Sequence, residues 1–460
     1  MGYLQPLMNR GVIKMVKSNP VTKEEVLQAV TENDVKFIRI QFTDTMGMIK
    51  SWAIPAEDLD EAFENGVMFD GSSIEGFTRI EESDMILMPD PTTFRILPWR
   101  PQEGAVARII GDVYRPNGQP FEGDPRYVLK RAIEKAAEKG YTMNIGPECE
   151  FFLFELDENG HPTTNLTDHG GYFDFTPLDK AQDVRRAIDF ALEDMGFKIE
   201  ASHHEVAPSQ HEINFRFGDV LTTCDNIVTF KYVVKSIAAH MGYYATFMPK
   251  PLFGENGSGM HSNQSLMKDG KNAFYDPDTP DQLSETAKQY IAGLLAHVRE
   301  FAAITNSTVN SYKRLVPGYE APIYCTWSSA NRSSLIRIPA TRGKGTRVEL
   351  RCPDPACNPY LAFAAMLCAG LDGIEKGMDA GTSTDVNLFE LSEEDREARG
   401  IESMPGNLKE AIDLMAGSDF VKDVLGEHVF ENYIASKIAQ WDDYKAQVHQ
   451  WELDTYLSIL

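Results

Sequence analysis

The segment that most constrains the fold of this chain is NIGPECEFFLFEL, residues 144–156. Its alternation of residue types predicts a strand that presents Glu148, Glu150, Phe152 and Phe154 on one face. Two carboxylates at positions i and i+2 repel each other unless cations hold them together. The strand therefore either ends at an exposed edge of a sheet or lines a cleft that binds cations.

Three further segments carry acidic or imidazole side chains near predicted strand ends. In SHHEVAPSQHEINFRF, Glu205 ends one strand and Glu212 begins the next. His261 follows the glycine-rich NGSG, and Glu349 lies in RGKGTRVELRCPDP, on a strand face between two arginines. Taken singly, each is also consistent with an ordinary core or surface position. Together they match the oxygen-rich ligand sets, with an occasional imidazole, of Mg²⁺ and Mn²⁺, and paired ions of this kind recur in phosphoryl transfer. The candidate ligands are Glu148, Glu150, Glu205, Glu212, His261 and Glu349.

Arginine is concentrated in residues 314–351 of an otherwise acidic chain. Planar guanidinium groups suit the recognition of carboxylates and phosphates. Structural ion pairs would explain any two of these arginines, but not all of them beside the glutamate cluster. The chain has no GxxxxGK[ST] loop and no GxGxxG after a predicted strand, which argues against two common nucleotide-binding folds. The candidate anion-binding residues are Arg314, Arg332, Arg337, Arg347 and Arg351.

The charge balance excludes some classes of partner. With 44 Lys plus Arg against 69 Asp plus Glu, the formal net charge is -25, so a nucleic-acid or anionic-membrane partner is disfavoured. The six cysteines form no CxxC pair, which favours free thiols in a reducing compartment. No apolar run has membrane-spanning length, and no signal-peptide core is present. We therefore expect a cytoplasmic protein.

Proline punctuation and element patterns divide the chain into three parts. We expect an N-terminal extension over residues 1–20, a small domain over 21–120 and a larger domain over 121–460 that ends in a helical tail. Strands are expected at 36–42 and within 85–97. Strands and helices mix without regular βαβ order, which indicates an α+β fold.

Five segments together resemble the glutamine synthetase family in its bacterial and archaeal type I form. They occur in the family's order from about residue 33 onward, and they are MFDGSSIEGF, GPECEFF, NGSGMHSNQSL, NRSSLIRIP and RVELRCPDPACNPYLAFAAML. The resemblance implies a β-grasp-like N-terminal domain and a catalytic domain whose antiparallel strands form an open funnel. It also implies a dodecamer of two hexameric rings, with active sites between neighbouring subunits.

The resemblance implies ATP-dependent joining of glutamate and ammonia to glutamine through γ-glutamyl phosphate, with two or more Mg²⁺ or Mn²⁺ ions per site. One metal site would consist of Glu150, Glu205 and Glu212. The second would consist of Glu148, His261 and Glu349. Glutamate would be bound by Asn256, Gly257, Arg314, Arg332, Arg351 and Tyr172. The nucleotide would be bound by Glu200, Ser265, Arg337, Lys344 and Arg347.

Three residues match the family's catalytic positions. Asp70, supplied by a neighbouring subunit, would bind ammonium, which must lose a proton before it becomes a nucleophile. Glu320 would close over the intermediate, exclude water and accept that proton. Arg332 would neutralise the transferred phosphoryl group.

Two positions bear on regulation. Phe389 stands where part of the family carries an adenylylated tyrosine, so that control is expected to be absent. The stretch EGFTRIEESDM resembles the subclass inhibited by glutamine, in which an arginine at the position of Arg79 couples the effector to the site. Regulatory protein partners are compatible with this subclass.

Two alternatives remain at this stage. A glutamate–polyamine ligase on the same scaffold would share the metal and phosphate residues, but Asp70 and Glu320 favour ammonia. A non-catalytic nitrogen sensor would be expected to have lost a metal ligand or Glu320, and neither is lost.

Overall fold

The computed structural model describes residues 20–74, 76, 83–101, 103–319, 321–329, 333–384, 388 and 391–460. Two sheets follow one another along the chain, and each is packed against helices. The predicted α+β class is confirmed. Among the described residues, no helix combines the length and the apolar character needed to cross a membrane.

The first sheet has six strands, and two helices belong to the same part of the chain. Parallel pairing joins only its first and last strands, and the other pairs are antiparallel. The strands are β1 (Val35–Thr43), β2 (Ile49–Pro55), β3 (Val67–Asp70), β4 (Asp84–Pro89), β5 (Arg95–Ile96) and β6 (Ala105–Tyr114). Their order is β2-β1-β6-β4-β3, with β5 on β6. The helices are α1 (Lys23–Glu32) and α2 (Leu59–Asn65). A capping box between Thr22 and Glu25 fixes the start of α1.

The stretch 85–97 is less regular than its sequence suggests. Strand β4 ends at Pro89, and the Asp90 side chain accepts a hydrogen bond from the Thr92 amide to begin a short 3₁₀ turn over Pro91–Thr93. Only Arg95–Ile96 then returns to the sheet. Aspartate and proline favour this local turn over continued strand pairing.

The second sheet has eleven strands and is antiparallel except for one pair, Tyr324–Ser328 with Ser334–Arg337. The strands are β7 (Tyr141–Leu156), β8 (Pro162–Leu166), β9 (Ile199–His204), β10 (Gln210–Phe215), β11 (Gly218–Asp219), β12 (Tyr243–Thr246), β13 (Met260–Lys268), β14 (Lys271–Asn272), β15 (Tyr324–Ser328), β16 (Ser334–Arg337) and β17 (Val348–Leu350). The main order is β15-β16-β17-β13-β7-β10-β9.

Strand β7 is the spine of this sheet, and its two faces differ. Cys149, Phe151 and Leu153 are fully buried in the main apolar core. The opposite face carries Glu148 and Glu150, which line a cleft. The burial of one face fixes the register of the strand, so both glutamates must point away from the core.

Helices cover the core side of the second sheet and form the C-terminal part. They are α3 (Pro125–Glu138), α4 (Gln182–Asp194), α5 (Val220–His240), α6 (Glu285–His297), α7 (Ala302–Thr305), α8 (Ser311–Arg314), α9 (Pro359–Lys376), α10 (Glu393–Ala398), α11 (Leu408–Ala416), α12 (Asp419–Leu425), α13 (Glu427–Ala446) and α14 (Gln450–Tyr456). Asn358 caps α9 by accepting from the Tyr360 amide. Gly293 of α6 and Gly373 of α9 allow direct backbone contact, since a Cβ on Gly293 would lie 2.0 Å from the Ala369 carbonyl oxygen.

A buried arginine joins the two sheets. Arg126 at the start of α3 is 3% exposed and donates to Asp90 beyond β4 at 2.8 Å and to Asp112 of β6 at 2.7 Å. It also donates to both carboxylate oxygens of Asp225 in α5, at 3.0 and 2.9 Å. One guanidinium therefore connects the first sheet to the helical layer of the second.

The last two helices leave apolar side chains in solvent. Trp451, Tyr456, Leu457 and Ile459 are all exposed. Residues 450–460 thus leave apolar surface uncovered by the rest of the described chain.

Candidate active site

Two cavities lie side by side on the open face of the second sheet. The smaller has a volume of about 370 Å³ and is lined by the carboxylates of both acidic groups described below. The larger has a volume of about 910 Å³ and is lined by Glu200, Ser265, Lys344 and Arg347. Glu148 lines both cavities, so they meet at this side chain.

The first acidic group, called the inner cluster, contains Glu150, His203, Glu205 and Glu212. Glu212 of β10 lies opposite Glu150 of β7 on one side and opposite His203 of β9 on the other. His203 Nε2 lies 3.5 Å from Glu212 Oε1, and His203 Nδ1 lies 3.6 Å from Glu205 Oε1. Register across three adjacent strands therefore gathers the cluster, because directly opposed side chains on one face are neighbours.

The carboxylates of the inner cluster repel one another. Glu150 Oε2 accepts hydrogen bonds from Gln210 Nε2 at 2.8 Å and from the Gly259 amide at 3.0 Å. Burial and the neighbouring charges of Glu205 and Glu212 nevertheless raise the pKa of Glu150 well above its ordinary value. A divalent cation is the species that would relieve this repulsion, so the donor set fits Mg²⁺ or Mn²⁺.

The second group, called the outer cluster, contains Glu148, His261 and Glu349. His261 of β13 lies opposite Glu148 of β7, and its Nδ1 is 3.3 Å from Glu148 Oε2 and 3.8 Å from Glu349 Oε1. Burial alone would raise the pKa of Glu148, but the hydrogen bond and charge of His261, with a hydrogen bond from Asn263, lower it to about 2. Two carboxylates and an imidazole also suit a divalent cation.

Arginines balance the outer cluster. Glu349 is 1% exposed and accepts from Arg337 Nη1 at 2.8 Å and from Arg351 Nη1 at 2.5 Å. Arg314 is buried beneath the cleft and donates to the carbonyls of Cys352 at 2.7 Å and of Arg351 at 3.1 Å. These guanidinium groups give the small cavity a cationic side next to its acidic side.

Glycines keep the floor of the small cavity open. A Cβ on Gly259 would lie 2.7 Å from Arg314 Nη2 and 2.9 Å from His261 Nε2. A Cβ on Gly257 would lie 2.3 Å from the Pro249 carbonyl oxygen. Asn256 lines the same wall, and so does Tyr172, whose ring is about half exposed.

The structure brings most of the predicted site residues to these two cavities. All six predicted metal ligands line the small cavity, together with Asn256, Gly257, Tyr172, Arg314, Arg337 and Arg351. Arg337, predicted to bind the nucleotide, lies beside Glu349 rather than in the large cavity. Asp70 ends β3 and lines neither cavity. The predictions for Arg79, Glu320, Arg332 and Phe389 fall outside the described residues.

Sequence reasoning missed two residues of the site. His203 completes the inner cluster, and its i, i+2 spacing from Glu205 in SHHE was the available signal. Asn263 is not among the predicted site residues, yet its Nδ2 donates to Glu148 at 3.0 Å and its Oδ1 accepts from Arg347 Nε at 3.0 Å. Asn263 thus links the large cavity to the outer cluster.

Comparison with known proteins covers nearly the whole chain. The family "Glutamine synthetase, beta-Grasp domain" matches residues 34–116, and "Glutamine synthetase, catalytic domain" matches residues 122–456. The glutamine synthetase of Methanosarcina mazei is 74% identical over 439 residues, which cover 95% of this chain and 98% of that relative. The glutamine synthetase of Thermus thermophilus is 54% identical over 441 residues, which cover 95% and 99%.

Solved structures agree with the sequence comparison. A structure of GmaS in an ADP complex has a TM-score of 0.86, and one of GmaS without ligand has a TM-score of 0.83. Each is 34% identical and covers 94% of this chain and 99% of its own.

The fold and the carboxylate-lined cleft define a two-domain α+β enzyme with a β-grasp domain ahead of its catalytic domain. The chain belongs to the glutamine synthetase family, and the predicted resemblance is confirmed.

Proposed function

We propose that this chain is a glutamate–ammonia ligase, which joins L-glutamate and ammonia to form L-glutamine while ATP is converted to ADP and phosphate. The carrying observation is that two cavities meet at Glu148: a small one with carboxylates and arginines, and a larger one with Lys344 and Arg347. The small cavity suits an amino acid, and the large cavity suits a nucleotide whose terminal phosphate reaches the arginines.

The inner and outer clusters are proposed to hold two or more Mg²⁺ or Mn²⁺ ions. The inner site would use Glu150, Glu205 and Glu212, and the outer site Glu148, His261 and Glu349. When bound, these ions would neutralise charge on glutamate and on the transferred phosphoryl group. Support comes from the raised pKa of Glu150, which reflects its burial and then the repulsion by Glu205 and Glu212 that an added cation would offset.

The remaining cavity residues are proposed to hold the two substrates. Glutamate would be bound by Asn256, Gly257, Arg314, Arg332, Arg351 and Tyr172. ATP would be bound by Glu200, Ser265, Arg337, Lys344 and Arg347. The glutamate γ-carboxylate would attack the γ-phosphorus of ATP, forming γ-glutamyl phosphate and ADP. Ammonia would then attack the acyl carbon, and phosphate would leave with the electrons of the broken C–O bond.

The ammonium step is proposed to need a neighbouring subunit. Asp70 is exposed and lies outside both cavities of its own chain, which supports its use in the cleft of another chain. Asp70 would bind ammonium, and Glu320 would accept the proton that ammonium loses. The exposed apolar side chains of the C-terminal helix also support assembly, for which we propose two hexameric rings.

Regulation, location and domain limits are further parts of the proposal. Arg79 would couple inhibition by glutamine to the site, and Phe389 would prevent adenylylation. An extension over residues 1–20 would precede the first domain, and the division between the two domains would lie near residue 120. The acidic composition supports a cytoplasmic enzyme without nucleic-acid or membrane partners, although regulatory proteins remain compatible with it.

The test is to measure ADP release by the purified full-length chain with ATP, Mg²⁺ and glutamate. Ammonium, putrescine, spermidine and methylamine would be supplied one at a time, and the γ-glutamyl product identified by mass. The expected result is ADP release that depends on ammonium and equals the glutamine formed. The variant E212Q keeps the shape of the inner cluster and should lose most turnover, whereas the surface variant D413N should retain it.

Two other outcomes would redirect the proposal. Release that requires an organic amine would assign the chain to amine ligation on the same scaffold, which is the alternative that the sequence leaves open. No turnover with any amine, from assembled protein that binds Mn²⁺, would leave a nitrogen sensor.

A further inference from the structure

A second polar cluster lies behind the inner cluster, on the buried side of the turn between β9 and β10. It contains Asp168, His204 and His211, which are each at most 2% exposed. None of the three lines the cleft. His204 directly precedes Glu205 and His211 directly precedes Glu212, so the two clusters share the same backbone.

Asp168 ties together both ends of this turn. Its Oδ1 accepts from the Ser209 amide at 3.0 Å and lies 2.9 Å from His204 Nε2. Its Oδ1 also accepts a hydrogen bond from the Gly170 amide, and its Oδ2 accepts one from the Lys180 amide, each at 3.3 Å. Ser209 has a φ of 63°, a left-handed conformation that a serine adopts only when its surroundings impose it. The aspartate therefore holds the turn in a shape that it would not keep alone.

His204 bridges Asp168 to the metal-ligand backbone. Its Nδ1 lies 2.7 Å from the carbonyl oxygen of Glu205, which can only accept a hydrogen bond. Its Nε2 faces the carboxylate of Asp168, which already accepts from backbone amides. Oxygen atoms therefore hold both ring nitrogens, one from the Glu205 backbone and one from Asp168.

The other histidine belongs to the same buried network. Arg185 Nη1 donates to His211 Nδ1 at 3.0 Å, so the ring proton of His211 resides on Nε2. Hydrogen bonds therefore fix Asp168 and His204 on all sides, whereas His211 Nε2 has no hydrogen-bond partner among the described residues.

The turn connects the buried cluster to the inner cluster through two hydrogen bonds. The Glu205 amide donates to the Gln210 carbonyl at 2.8 Å, which closes the turn. Gln210 Nε2 then donates to Glu150 Oε2 at 2.8 Å. Displacement of the turn would therefore move Glu205 directly and Glu150 through Gln210.

We propose that Asp168 and His204 are positioning residues that set the geometry of the inner cluster by fixing the turn 204–210. This inference rests on the proposed function, since it assigns the inner cluster a divalent cation. Hydrogen-bond partners of metal ligands typically account for about 10–100-fold in metal affinity or activity.

The test is Mn²⁺ binding to the full-length chain, followed by electron paramagnetic resonance, together with kcat and KM for glutamate at saturating Mg²⁺. D168N removes the charge that His204 faces. H204Q places an amide near the Nε2 position and loses the Glu205 contact, whereas H204N places an amide near Nδ1 and loses the Asp168 contact. We expect Mn²⁺ affinity at one site to fall about tenfold or more in D168N and H204Q, and less in H204N.

A matched control lies far from the cleft. His297 Nε2 is 2.8 Å from Asp372 Oδ2, so D372N removes the same kind of pair without touching the turn. It should leave Mn²⁺ affinity unchanged, even if it lowers the melting temperature.

Four results would overturn the inference or separate it from the proposed function. Unchanged Mn²⁺ affinity in D168N and H204Q, alongside a lower melting temperature, would reduce the pair to a structural role. If D168N does not fold, unchanged affinity in both His204 variants would have the same meaning. Failure of the wild-type chain to turn over would reject the proposed function, whereas an active wild type with unaffected variants would reject only the positioning role.

Discussion

The inner and outer clusters lie on neighbouring strands but balance their negative charge in different ways. The outer cluster has its own cations, since Glu349 pairs with Arg337 and Arg351. The inner cluster brings Glu150 close to Glu205 and Glu212, where burial and repulsion raise the pKa of Glu150. The comparison predicts that the outer cluster keeps its shape without metal, whereas an added cation would stabilise the inner cluster.

The largest expected effect comes from breaking the outer cluster. E349A leaves Arg337 and Arg351 without their shared carboxylate in a nearly buried position. We expect the metal-free chain to lose about 3 kcal/mol of unfolding free energy, the usual result of removing one partner from a buried ion pair. Urea titration measures this loss. D413A, which breaks the exposed pair with Lys409, is the control and should change little. Equal effects of the two variants would contradict the comparison.

The second test uses the inner cluster, where removal of a charge should stabilise the folded metal-free chain rather than destabilise it. Both hydrogen bonds to Glu150 end on one oxygen, so the amide oxygen of E150Q can still accept them. We expect the melting temperature of the metal-free chain to rise by about 2 °C, equivalent to ~1 kcal/mol in a domain of a few hundred residues. Mn²⁺ affinity should fall about 10–100-fold. E148Q is the matched variant and should lower the melting temperature. A lower melting temperature in E150Q would remove the evidence for repulsion.

The two clusters also predict opposite dependences on pH. The folded-state pKa of Glu150 is raised above its ordinary value of 4.5, so the folded chain binds the extra proton more tightly and loses stability as pH rises through that folded pKa. The folded-state pKa of Glu148 is lowered to about 2, so its contribution is present above 4.5 and is lost as pH falls towards 2.

Melting temperatures of metal-free wild type, E150Q and E148Q from pH 3 to pH 8 measure these dependences. The advantage of E150Q over wild type should be absent near pH 4 and grow as pH rises. Saturating Mn²⁺ should abolish it. An advantage that does not vary with pH would show that Glu150 is not the group responsible.

The smallest expected effect concerns the link between the cavities. N263A removes one hydrogen bond to Glu148 and one from Arg347. We expect KM for ATP to rise about fivefold, as for loss of one ordinary hydrogen bond of ~1 kcal/mol, with little change in stability. Initial-rate kinetics would show this, with N432A, at a remote helix contact, as the control. A change confined to KM for glutamate would place Asn263 with the small cavity instead.

The sequence predicted the elements of the site better than their arrangement. Strand alternation correctly placed Glu148 and Glu150 on one face of β7. It could not show that the two belong to different clusters, because that depends on β10 pairing on one side and β13 on the other. His203 and Asn263 were missed for the same reason, since their partners lie on other strands. The shape of the turn 204–210 could not be predicted from the sequence either, because it depends on Asp168 some forty residues earlier.

The buried Arg126 has a consequence for how this architecture can change. Its three aspartate partners lie just beyond β4, in β6 and in α5, so cutting the chain near residue 120 would leave a charged group in the interior without its full set of partners. The first sheet therefore cannot be exchanged for that of a distant relative without also matching Asp90 and Asp112. Although the two family matches are separate along the sequence, we therefore expect the two parts to be exchangeable only together.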